Sequence, residues 1–245
     1  MKKGILEQLQ QDRAEKRPVV LATFLKTGEQ RLLYLYGKKG LKDSDPRIGE
    51  AARAAMLEDR PRTIETDDGP LFLNVFNPPL RLVLVGAVHI AQALVPMAQL
   101  AGYEVIVIDP RSAFGSAERF PGVQLSNDWP DEAMAQLKPD IRTAVVTLTH
   151  DPKIDDPALI AALQSDVFYI GALGSKKTHA SRLERLREAG IAEHEFSRIH
   201  GPVGLTIGAK SPAEIAISIL AQMTASLRQP AASAPAPAPA GPAAA

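Results

Sequence analysis

From residue 81 onwards the chain alternates short apolar runs with segments that are apolar only at every third or fourth position. The runs are 81–86 (Arg-Leu-Val-Leu-Val-Gly), 104–109 (Glu-Val-Ile-Val-Ile-Asp), 143–149 (Thr-Ala-Val-Val-Thr-Leu-Thr) and 167–171 (Val-Phe-Tyr-Ile-Gly). Short, nearly continuous apolar runs are the mark of strands buried on both faces. Helical spacing fills the gaps between them. It covers 89–100, where Pro96 is expected to break and kink the helix, then 157–164, then 176–189, closed by Gly190. A last helix opens at Ser211-Pro212-Ala213-Glu214, with a capping serine, proline at the first helical position and glutamate three residues after the cap. Strand–helix alternation predicts a parallel sheet covered by helices, a Rossmann-like doubly wound α/β domain over 80–228.

The pattern is weaker before residue 77. It predicts a helix over 1–14 with Ile5, Leu6 and Leu9 on one face, and strands over 18–25 and 31–36 about a turn at Gly28. A helix over 45–57 and a strand over 71–76 complete a small α+β module, residues 1–76. Asn77-Pro78-Pro79 reads as a hinge to the next domain. From Pro230 the chain contains only Pro, Ala, one Ser and one Gly, so 229–245 is expected to be a disordered, inert tail. No internal repeat is visible.

Composition narrows the classes of function. The 245 residues carry 28 basic and 28 acidic side chains, a net charge of zero, which argues against a dedicated nucleic-acid binder. No apolar run approaches the roughly 20 residues of a membrane span, and the polar first residues are not a secretory signal, so a cytoplasmic protein is expected. Cysteine is absent. That removes disulfides, cysteine-held zinc, iron–sulfur clusters and a thiol nucleophile from consideration.

The candidate chemistry sits where strands give way to helices. Gly86, Ala87, Val88 and His89 occupy the turn where a dinucleotide fingerprint belongs, with Val88 at the position of its second glycine. This is either a phosphate-binding turn or one that only packs. Asp109 follows Gly86 by 23 positions, where an acidic residue binds ribose hydroxyls, and Arg111 stands beside it for a phosphate. Asp109 could equally be a turn former. Thr149, His150 and Asp151 close a strand at the carboxyl edge, as an acid–base pair or as turn and packing residues. Gly171, Gly174, Ser175, Lys176 and Lys177 lead into a helix and make an anion cradle. Lysines there oppose the helix dipole, so a purely structural role fits them poorly. Gly204 belongs to a glycine-rich loop, 201–208, expected to close over the same crevice. The spacing of His179, His194 and His200 has no metal-ligand regularity, so no metal site is expected.

Taken in order, these strings resemble the XdhC/CoxI family over about 150 residues. They are Gly86-Ala87-Val88-His89, Asp109 with Arg111, Glu118-Arg119-Phe120-Pro121, Thr149-His150-Asp151 and Tyr169-Ile170-Gly171. Gly174-Ser175-Lys176-Lys177, the run from Pro202 to Ala209, and Ser211-Pro212-Ala213-Glu214-Ile215-Ala216 continue the series. The resemblance implies a Rossmann-type C-terminal domain and an accessory protein that binds the molybdenum cofactor, as molybdopterin or its cytosine dinucleotide form. Such a protein assists maturation or insertion of the cofactor into a molybdenum hydroxylase of the xanthine dehydrogenase, aldehyde oxidase or CO dehydrogenase type. It is a cofactor-insertion chaperone more than a turnover enzyme, with no catalytic residue assigned. The expected partners are the hydroxylase apoenzyme, a sulfurtransferase or cytidylyltransferase, and a second copy in a homodimer, with no nucleic acid and no membrane. Two features depart from the family pattern: Val88 replaces a glycine, and the short N-terminal part lacks the Gly-Gly-Cys segment, which removes cysteine-dependent cofactor binding. The alternatives are an NAD(P)-dependent oxidoreductase, supported by Asp109 and the Gly86 turn, and a non-catalytic nucleotide-binding scaffold.

Overall fold

A sheet with buried residues 19–22 at its centre builds the first of two units into which the chain divides, Met1–Leu80 and Arg81–Ala245. The computed structural model describes residues 2–34 and 45–228. In the first unit, α1 (Lys3–Ala14), β1 (Val19–Phe24), β2 (Gln30–Leu33), α2 (Pro46–Glu58), β3 (Arg62–Thr66) and β4 (Gly69–Phe76) follow one another. The strands form an antiparallel sheet in the order β2-β1-β4-β3. Val20, Ala22, Leu71 and Leu73 of the sheet pack on Ala52 and Met56 of α2, which opens on the Asp45 cap. On α1 only Leu9 is fully buried among the apolar residues; Leu6, expected on the same face, is exposed. The buried polar residue of that helix is Asp12, whose carboxylate accepts bonds from the Tyr34 hydroxyl (2.7 Å) and the Arg17 guanidinium (2.9 Å). β3 is absent from the sequence expectation for a simple reason. It is an edge strand whose one large apolar residue, Ile64, leaves no alternation to detect.

The second unit contains β5 (Leu80–Val85), α3 (His89–Leu100), β6 (Tyr103–Ile108), β7 (Gln124–Ser126), α4 (Pro130–Leu137), β8 (Thr143–Thr147) and α5 (Pro152–Leu163). β9 (Tyr169–Ala172), α6 (Lys176–Glu188), a 3-10 turn (Glu193–Arg198), β10 (Ile199–His200) and α7 (Pro212–Arg228) complete it. The six strands form a parallel sheet in the order β10-β9-β8-β5-β6-β7. Val83 and Val85 of β5 point to a core shared with Met134 of α4, Leu159 of α5 and Leu186 of α6. Leu82 and Leu84 alternate with them and are equally buried, so the sheet is covered on both faces. This is the doubly wound, Rossmann-like fold expected from the alternation. The chain winds outward from β5 to β7, then returns to β8 beside β5 and winds the other way. The switch point therefore lies between the carboxyl ends of β5 and β8.

Three local expectations are corrected. α3 runs unbroken through Pro96. One lost backbone bond costs about 3 kcal/mol, and burial of Ala91, Leu94, Val95 and Ala98 outweighs it. α5 begins at Pro152, not Pro157, because the Asp151 side chain accepts from Lys153 N and Pro152 takes the first turn. β7 and α4 are additions to the expected elements, although Pro130-Asp131-Glu132 carries a helix-start signal of proline and acidic residues in the first turn. The expected end of the 31–36 strand beyond residue 34 and the expected tail over 229–245 lie outside the described residues.

Candidate functional site

The site is built from the loops that leave β5, β8 and β9. At the switch point Gly86 has φ of +110°, and a Cβ on it would lie 2.5 Å from Thr149 Cγ2. Only glycine allows both that backbone angle and the close approach of the β8 loop. The next residue, Ala87, is fully buried. Its N–H donates to Asp109 Oδ2 (2.8 Å), and its carbonyl accepts from Arg119 Nη1 (2.8 Å). Val88 is half-buried at the cap position of α3 and makes no side-chain cap bond; His89 is exposed.

Asp109, expected to bind a ribose, is turned inward. It has no exposed surface, and beyond Ala87 it accepts bonds from Arg111 N (3.0 Å), Nε (2.9 Å) and Nη2 (2.8 Å). Burial alone would raise its pKa, but the Arg111 guanidinium and the two backbone N–H groups outweigh burial and hold the carboxyl below its ordinary value. Arg111 also lies over the Phe114 ring at 4.5 Å. The pair locks the ends of β5 and β6 together, so the acidic position of the fingerprint is spent inside the protein.

A second carboxylate, missed in the sequence, organises the β8 loop. Asp155 is buried on α5 and accepts from Thr149 Oγ1 (2.7 Å), Thr149 N (3.3 Å) and His150 N (3.1 Å). Its pKa is raised by burial, with these bonds and Arg182 opposing. The loop it holds includes His150 at φ +64°, side chain exposed, and Asp151, whose side chain caps α5. Among the described residues His150 and Asp151 share no hydrogen bond. Across from them Ser175 caps α6 by accepting from Thr178 N (3.1 Å), and Lys176 and Lys177 stand exposed in the first turn. Gly174 precedes the cap.

Between α5 and α6 lies a cavity of about 260 Å³, lined among others by His150, Asp155, Lys177, Ser181, Arg182 and Arg185. Arg182 is 2% exposed. Its Nη2 donates to Leu173 O (2.7 Å) and stands 4.0 Å from Asp155 Oδ2. Burial lowers the pKa of its guanidinium, and the carboxylates of Asp155 and Asp156 oppose that. Arg185 binds Asp156 through Nε (2.6 Å) and Nη2 (3.0 Å). Gly171 of β9 and Gly204 of the last loop serve packing. A Cβ on Gly171 would meet Val203, and one on Gly204 would meet Ser218, while Gly204 N donates to Gln222 Oε1 (2.8 Å). The structure therefore brings His150 and Lys177 to one cavity, and places Gly86, Ala87, Asp109 and Arg111 in a separate, self-satisfied lock. Asp155, Ser181, Arg182 and Arg185 are additions that the sequence did not single out. Arg182 sits four residues before Leu186, on the buried stripe of α6, and a charge on a buried stripe is the signal that could have found it.

The strand order, the glycine turn at the switch point and the helix amino ends gathered at the carboxyl edge define the class of Rossmann-type doubly wound domains. Within that class, residues 82–223 match the model of the XdhC Rossmann domain, and the chain belongs to that family. It is 35% identical over 148 residues to the molybdenum cofactor insertion chaperone PaoD of Escherichia coli, covering 60% of this chain and 40% of PaoD. It is 34% identical over 180 residues to a probable xanthine dehydrogenase subunit of Bacillus subtilis, covering 69% of this chain and 52% of that protein. The uncharacterized protein YqeB of Escherichia coli is 34% identical over 153 residues, 62% of this chain and 28% of YqeB. The chain thus spans about half or less of the length of these relatives. A solved xanthine dehydrogenase from Bacillus halodurans shares the fold, with a TM-score of 0.66 and 24% identity over 92% of this chain and 67% of that one. No helix among the described residues is long and apolar enough to cross a membrane.

Proposed function

We propose that this chain is an accessory protein that takes the molybdenum cofactor as cargo and assists its maturation or insertion into a molybdenum hydroxylase. The observation that carries this reading is membership of the XdhC family over residues 82–223, with a relative named for cofactor insertion. The cargo lies along the carboxyl edge of the parallel sheet, where His89, His150, Lys176 and Lys177 are exposed and the amino end of α3 has no side-chain cap. In this reading the protein works in the cytoplasm on the hydroxylase apoenzyme. The 245 residues contain no cysteine, so sulfur for the cofactor comes from a separate sulfurtransferase.

The lock at Ala87 weighs against an ordinary nicotinamide dinucleotide. Its N–H is already given to Asp109, and a branched residue, Val88, stands at the position where a fingerprint glycine lets backbone approach the pyrophosphate. The test is retention of cofactor released from a molybdoenzyme when it is passed with the purified chain over a sizing column, with NADH and NADPH titrated in parallel by calorimetry. Cofactor eluting with the protein and no heat from either nucleotide is the expected result. Nucleotide binding without cofactor retention would replace this reading with the oxidoreductase.

A further inference from the structure

The cavity between α5 and α6 has the makings of a site that the lock at Gly86 lacks: donors that no acceptor among the described residues uses. Arg182 is 2% exposed, yet its Nε and Nη1 are buried and find no acceptor among the described residues. Buried donors are almost always paired, and an unspent pair on a guanidinium calls for an acceptor from elsewhere. Asp155 does not supply it. Its oxygens are taken by Thr149 and by His150 N, and its nearest approach to Arg182 is 4.0 Å.

The surroundings favour a negative charge. Lys177, Arg182 and Arg185 line the cavity with a single carboxylate, Asp155, and Arg185 is closed in a bidentate pair on Asp156. Among the described residues Lys177 makes no ion pair and the Ser181 hydroxyl makes no hydrogen bond. The first turn of α6, through Lys177 and Thr178, also faces the cavity and brings a positive helix end to it, whereas the amino end of α5 is closed by the Asp151 carboxylate. A cavity of about 260 Å³ exceeds the ~30 Å³ that one water occupies in the liquid several times over, so it admits an oxyanion with part of the group that carries it.

We propose that this cavity is a seat for a phosphate group, inorganic or esterified, with Arg182 as its buried anchor and Lys177 and Ser181 at its mouth. Arginine in a fixed fork suits a tetrahedral oxyanion, and the lysine adds a mobile point charge. The assignment rests on the cavity's own geometry and holds whether or not the chain carries the molybdenum cofactor.

The test is calorimetry on the full chain at fixed ionic strength with three probes: inorganic phosphate, a nucleoside 5′-monophosphate, and the same nucleoside without phosphate. Phosphate and monophosphate are expected to bind and the nucleoside not to. Equal affinities mark free phosphate as the natural occupant, and a tighter monophosphate marks an ester. Lys177→Gln, at an exposed position that leaves the fold intact, should weaken binding about tenfold or more, as loss of a charge-assisted bond does. Ser181→Glu, which puts a carboxylate at the mouth, should abolish it. Lys153→Gln, on the exposed first turn of α5 and outside the cavity, should leave it unchanged. Absence of phosphate binding by the folded chain, binding indifferent to the Lys177 and Ser181 changes, or equal weakening by the Lys153 change would each overturn the assignment.

Discussion

Single side chains divide the carboxyl edge into a part that is closed on itself and a part that is not. Asp109 holds the first, accepting four hydrogen bonds with no exposed surface. Asp109→Asn removes the charge and an acceptor, and should cost about 2–3 kcal/mol of stability. The Arg111 side chain is 37% exposed and can turn to water, which keeps the cost from rising further. The pH dependence follows from the direction of the shift. The folded carboxyl titrates below its ordinary 3.8, so its stabilisation is complete above that value and is lost as the pH falls through the lower folded value. Urea unfolding of both proteins between neutral pH and pH 3 measures this. The variant should be less stable at pH 7 and should lose less on acidification, and parallel curves would contradict the lock. The sequence singles out Asp109 but does not reveal the direction of its side chain. Spacing from Gly86 places a carboxylate at the end of β6 but cannot say whether it faces a ligand or the Ala87 N–H. Arg182 leaves a local trace, a charge on the buried stripe of α6, but its proximity to Asp155 comes from two helices side by side, which no local pattern records.

Elements are legible in proportion to how much of their surface is buried. The central strands β5, β6, β8 and β9 stand out as apolar runs, whereas the edge strands β3 and β7 present too few buried positions to register. The start of α5 is the instructive error. Pro157 looks like a first-turn proline, but Asp151-Pro152 is the actual start, and Pro157 lies within the helix. Two substitutions separate the alternatives. Asp151→Ala removes the cap bond to Lys153 N and should destabilise the protein by about 1 kcal/mol. Pro157→Ala restores a backbone donor inside a formed helix and should be neutral or stabilising. Both are read from the midpoint of urea unfolding. The opposite pattern, a costly Pro157→Ala and a silent Asp151→Ala, would return the helix start to Pro157. The start matters for function because it sets where the amino end of α5 meets the cavity shared with α6.

At the scale of the whole molecule, a balanced charge and a ligand edge without cysteine are the conditions any function must meet. The doubly wound domain is legible from the sequence because its period changes from strand to helix many times over about 150 residues. The proposed role rests on resemblance, since a fold of this class hosts many chemistries. The proposed accessory role makes a claim about another protein, so that protein is where it is best tested. The most direct measurement is the molybdenum and cofactor content of the partner hydroxylase purified from a strain in which the coding sequence of this chain is deleted. The account predicts a hydroxylase that is made and folded but carries far less cofactor than its wild-type counterpart, with activity restored when the chain is supplied again. A hydroxylase with normal cofactor content and normal activity in the deletion strain would contradict it.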